Sequence, residues 1–156
     1  MTPQHSWDAI KKSALSARSR LFAAVLGLNY DKSIYNKYLQ YIGHLVTKTA
    51  VNAGYIEHRQ DLKGNTIVEW ARSDVIDGRG APNQWACLSA VDLLVQNQAA
   101  PEPSDDVLID AYAYYWFLGH GPFNSWADLE ASLPPLLNTP WFRARFECAF
   151  SASTSN

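Results

Sequence analysis

Sulfur is scarce in this chain, with two cysteines and one methionine in 156 residues. Cys87 and Cys148 lie far apart, which excludes a disulfide framework and a thiolate metal cluster, so both are expected as buried, reduced thiols. Long apolar runs are missing too: none reaches the roughly 18 to 20 residues of a membrane-spanning helix. The start, Met1-Thr2-Pro3-Gln4-His5, has neither the basic segment nor the apolar core of a secretory signal, which points to a soluble, cytoplasmic protein. Catalytic signatures are absent as well. There is no GxSxG, no P-loop and no GxGxxG, and His5, His44, His58 and His120 are scattered without metal-ligand spacing. Asp74, Asp77 and Asp110 lack the spacing of a calcium loop. The expectation is therefore no enzyme, with no catalytic, cofactor-binding or metal residue to assign.

What is present is a large apolar fraction, 47%, with six Trp and eight Tyr. That is enough to build a real core. Charge is thin, at 18% of residues, and it is divided: residues 1–72 hold ten Lys/Arg against five Asp/Glu, and residues 73–156 hold three against ten. A net charge of −2 thus conceals a basic half and an acidic half. Such asymmetry bears on partners and association rates, not on the fold.

Helical spacing dominates the beginning. Trp7, Ile10, Ala14, Ala17, Leu21, Val25 and Leu28 recur at steps of three and four, predicting one long helix with Ser6 as its N-cap. A second helix is expected from Ser33 to Ala53, striped by Tyr35, Tyr38, Ile42, Leu45 and Thr49 and stopped by Gly54. Beyond it, Tyr55–Arg59 and Thr66–Ala71 are β-prone runs flanking Gly64-Asn65, which predicts a β-hairpin. Further helices are expected over 84–98, over Val107–Leu118 after Ser104-Asp105-Asp106, from Ser125 to about Ser132, and over Trp141–Phe150 behind Thr139-Pro140. Val107–Leu118 holds Asp110 as its one charged residue, so it should be the most buried helix.

These patterns predict a mainly α protein of the α+β class, a compact helical domain of about six helices carrying one β-hairpin. It should form a single domain over 1–150 with a disordered tail at 151–156. The composition shift at 73–83 is the one candidate subdivision.

The stretch Ala53-Gly54-Tyr55-Ile56-Glu57-His58-Arg59 followed by Asp61-Leu62-Lys63-Gly64-Asn65-Thr66-Ile67-Val68 resembles the end of the recognition helix and the wing of winged helix-turn-helix domains, over about residues 36–72. That resemblance implies a DNA-binding regulator in which Lys37, Lys48, Arg59, Lys63 and Arg72 meet phosphates. The residues themselves favour a different class, a non-enzymatic protein-binding module such as a small inhibitor or immunity protein that blocks a toxin, nuclease or defence complex. An acidic and aromatic surface would steer and anchor a basic protein partner. The candidate partner-binding residues are Asp74, Asp77, Asp105, Asp106, His120 and Trp126.

Overall fold

A computed structural model describes residues 6–28, 35–72 and 82–154, with the side chains of 35–38 and 152–154 outside that set. Asp74, Asp77 and most of the candidate subdivision at 73–83 lie outside the described residues. The elements are α1 (Trp7–Ser16), α2 (Arg18–Leu26), α3 (Tyr35–Asn52), α4 (Gly64–Arg72), α5 (Gln84–Gln96), α6 (Asp106–His120), α7 (Trp126–Ser132), a 3-10 turn (Pro135–Leu137) and α8 (Pro140–Thr154). Helices take 72% of the described residues and no strand occurs among them, so the fold they form is all-α.

The expected α+β class with a β-hairpin is therefore corrected. Thr66–Ala71 lies in α4, and Tyr55–Lys63 is neither helix nor strand. The reason is burial. In a strand, Ile67 and Trp70 would face opposite sides. In α4 they stand one helical turn apart, both buried, with the Trp70 ring meeting Phe22 at 5.1 Å. The β preference of Thr66-Ile67-Val68 amounts to at most about 1 kcal/mol per residue, depends on context and yields to that packing.

The first helix is also divided. Ala17 leaves the helix at φ −98° and ψ 8°, its N–H shared between the Ser13 and Ala14 carbonyls. The stripe is nevertheless intact in burial terms, since Ile10, Ala14, Ala17, Leu21, Val25 and Leu28 are all buried. Expected caps appear where the chemistry put them: Ser6 Oγ accepts from the Ala9 N–H at 3.0 Å, and Ser125 Oγ from Asp128 at 3.1 Å. Gly54 adopts φ +80° and lets the Tyr55 N–H reach back to the Ala50 carbonyl, closing α3 in the left-handed manner that favours glycine. At the far end, residues 151–154, expected in a disordered tail, continue α8.

The chain forms two compact units: Arg18–Ala99, and Met1–Ala17 joined with Ala100–Asn156. In the discontinuous unit, α6 is packed by both α1 and α8. It is buried from Ile109 to Trp116, while Val107 and Leu118 at its ends are exposed; α5, buried throughout Ala86–Leu94, and not α6 as expected, is the most buried helix described. The ring pairs Tyr112–Phe142, at 6.1 Å, and Trp116–Phe146, at 5.4 Å, advance together along α6 and α8, so these helices run parallel. A parallel pair needs a crossover, which α7 and the 3-10 turn supply. Asp110, buried as a central position demands, is partnered by the equally buried Arg145 of α8, Nε to Oδ1 at 3.0 Å.

In the continuous unit, α2 and α3 each pack on α4 and α5. The segment Tyr55–Lys63 lies against α3, where Gly43 is indispensable: a Cβ there would overlap the Leu62 carbonyl oxygen. Thr47, buried on the next turn, accepts from the Leu62 N–H at 2.9 Å and donates to the Gly43 carbonyl at 2.8 Å. The Tyr55 hydroxyl donates to the buried Asp92 carboxylate of α5 at 2.5 Å, and Ser89 donates to the Val46 carbonyl of α3.

Candidate functional site

The charge division of the sequence carries over to the two units in weaker form. The unit containing α1, α6, α7 and α8 carries eight Asp/Glu against four Lys/Arg, and the other carries nine Lys/Arg against seven Asp/Glu. Within the acidic unit the arginines are already engaged. Arg145 donates to Asp110, to Asp106 at 3.1 Å and to the Trp141 carbonyl at 3.0 Å. Arg143 donates to Glu130 at 2.6 Å and to Asn138 at 3.1 Å, with its guanidinium 5.3 Å from the Trp126 ring centre. Glu102, Asp128 and Glu147 are exposed on the same unit.

The candidate residues of this unit occupy distinct places. Asp105 is half-buried and caps α6, its carboxylate accepting from the Leu108 N–H at 3.2 Å. Asp106, with a side chain 72% exposed, turns one oxygen to Arg145. His120 lies at the other end of α6, roughly 20 Å away at 1.5 Å per residue. Its exposed imidazole is stacked on Trp116, with ring centres 4.9 Å apart and planes 19° apart. Trp126 is half-buried between Arg143 and Phe150. Asp105 and Asp106 thus share one end of α6, and His120 belongs to another surface.

Around His120 the structure gathers rings that the sequence alone does not single out. Phe123 is nearly parallel to Trp116 at 5.7 Å, and Phe117 meets both Phe123, at 5.7 Å, and Trp7, at 5.3 Å. Trp7, Phe117 and Phe123 are half-buried. The legible signal was the i, i+4 spacing of Trp116 and His120. Burial raises the pKa of Tyr112 and Tyr114, so these phenols stay neutral and act as packing groups. Burial, with Glu147 adding to it, also raises that of the half-buried Cys148, which keeps the thiol protonated and a poor nucleophile.

No protein-family model, curated protein or solved structure matches this chain. The geometry alone bears on function.

In the basic unit, Lys48, Arg59, Lys63 and Arg72 are exposed, and the Lys37 side chain lies outside the described set. Arg59 is stationed 5.2 Å from the Trp85 ring centre. Lys63 borders an open depression of about 640 Å³ lined by Leu39, Gln40, Asp61, Leu62, Gly64 and Asn65. The His44 Nδ1 lies 3.0 Å from Asp61 Oδ2 beside it. Among the described residues, no group of three or more His, Cys, Asp or Glu is placed to hold a metal ion, and no helix is long and apolar enough to cross a membrane.

Proposed function

We propose that this protein is a non-enzymatic binding module that docks on a basic protein partner through the unit built from α1, α6, α7 and α8, as a small inhibitor or immunity-type protein does. The observation that carries the reading is the ring array at the C-terminal end of α6, where the exposed His120 stacks on Trp116 and the half-buried Phe117, Phe123 and Trp7 meet ring to ring. Aromatic side chains already held by their neighbours lose little freedom on binding and serve as anchors at the centre of interfaces. The carboxylate excess of the same unit supplies long-range attraction for a basic partner, which governs association more than residence.

The experiment is a pull-down with the tagged full chain, followed by surface plasmon resonance on the captured protein. Phe123→Ala with His120→Ala, which trims the array at two of its members, is expected to speed dissociation at least tenfold. Glu102→Lys with Glu147→Lys is expected to slow association and flatten its salt dependence. A partner bound identically by both double variants would refute the reading.

A further inference from the structure

Helix α3 has a composition unlike any other in the chain. Its eighteen residues contain no Asp or Glu, yet they include two Lys, one His and three Tyr. Its inner face is settled: Ile42, Val46, Thr47 and Ala50 are buried. Tyr41, His44 and Lys48 recur at steps of three and four on the outer face. Tyr41 is 49% exposed, more than any other large apolar side chain described, the His44 side chain is 44% exposed, and Lys48 is exposed. The crossing segment adds the exposed Lys63 at one edge, and the carboxylate it brings, Asp61, is engaged by His44. Gln40 of the same helix lines the 640 Å³ depression, together with Leu39, Leu62, Lys63 and Asn65. A space of that size accommodates a nucleotide.

We propose that the outer face of α3 and the adjoining depression bind single-stranded nucleic acid. An exposed tyrosine ring offers a stacking platform for an unpaired base, which a paired base in a duplex cannot use, and lysines flanking it meet the phosphates. The Gln40 and Asn65 amides present donors and acceptors to a base edge in the depression. This binding uses the basic unit and is independent of the partner proposed for the acidic one.

The test is fluorescence anisotropy of labelled DNA and RNA single strands of about 20 nucleotides, with the full chain. Expected is binding of at least one strand at about 50 mM salt that weakens steeply by about 200 mM. Tyr41→Ala and Lys48→Glu should each reduce affinity about fivefold or more, while Tyr41→Phe, which keeps the ring, retains it. Circular dichroism at the assay temperature checks that all three variants are folded, so that a loss of affinity reports on the surface itself. Absence of binding up to about 100 µM protein would overturn the proposal, as would equal affinity in the Ala and Glu variants or equally tight binding of the matching duplex.

Discussion

Replacing Arg145 by Met should destabilise the fold by about 3 to 5 kcal/mol, because it strands the Asp110 carboxylate inside the α6–α8 contact without its cation. Both partners are out of water, with side chains 5% and 8% exposed for Arg145 and Asp110. Asp106, the other carboxylate on Arg145, is 72% exposed, so Asp106→Asn should cost no more than about 1 kcal/mol. The informative comparison is with the double variant Arg145→Met with Asp110→Leu. It removes both charges together, and apolar replacement of a whole buried pair is neutral or stabilising in comparable cases. The double variant should therefore recover most of what the single loses. Urea unfolding followed by circular dichroism, completed with Asp110→Leu as the fourth corner of the cycle, measures the coupling. A loss below about 1 kcal/mol for Arg145→Met, or additive losses in the double variant, would refute the claim that the pair is buried and interdependent.

Gly43→Ala should cost about 2 kcal/mol or more, read as a fall in the urea midpoint, because its Cβ would collide with the Leu62 backbone carbonyl and push Tyr55–Lys63 off α3. Tyr55→Phe should cost about 1 to 3 kcal/mol by the same measurement, since the buried Asp92 loses a hydroxyl donor. Burial first, and then Asp92, raise the pKa of Tyr55, so its neutral form is favoured in the folded state; this contribution is present in full below about pH 10 and is lost as pH climbs beyond the ordinary tyrosine value. Absorbance at alkaline pH should show Tyr55 and Tyr112 ionising last, with their late fraction reduced in Tyr55→Phe. Ser125→Ala should cost about 0.5 to 2 kcal/mol through loss of the α7 cap, visible as a lower thermal midpoint.

The helices were legible where burial and period agree. Ile10, Ala14, Ala17, Leu21 and Val25 form one buried stripe as their spacing demands, and α3, α5, α6, α7 and α8 stand within a few residues of their expected bounds. The apolar run around Asp110 left open whether that carboxylate sits at a rim or in the core; that it is buried and paired with Arg145 was not legible, because 35 residues separate them. The hairpin failed at Thr66-Ile67-Val68, where local preference pointed to strand while the pair Ile67 and Trp70 carried a helical period within a run too short to decide by itself. The break at Ala17 left no mark, since a capped end and a continuing helix share the same stripe there. Of the candidate site, His120 stood out between two glycines, though it closes α6 instead of lying on a loop, and Trp7, Phe117 and Phe123 join it only through tertiary packing.

The discontinuous unit has a consequence for the order of events during synthesis. Its first helix, α1, emerges early, but α6 and α8, against which it packs, follow only after the whole of Arg18–Ala99 has been made. At ribosomal speeds of roughly 5 to 20 residues per second, that interval lasts about 4 to 16 s. The intervening unit is contiguous and can close in the meantime, whereas Trp7, Ile10 and Ala14 keep their apolar stripe exposed until the last third of the chain arrives. The nascent protein therefore carries a sticky helix for seconds, the period in which it is most open to chaperones and to neighbouring chains.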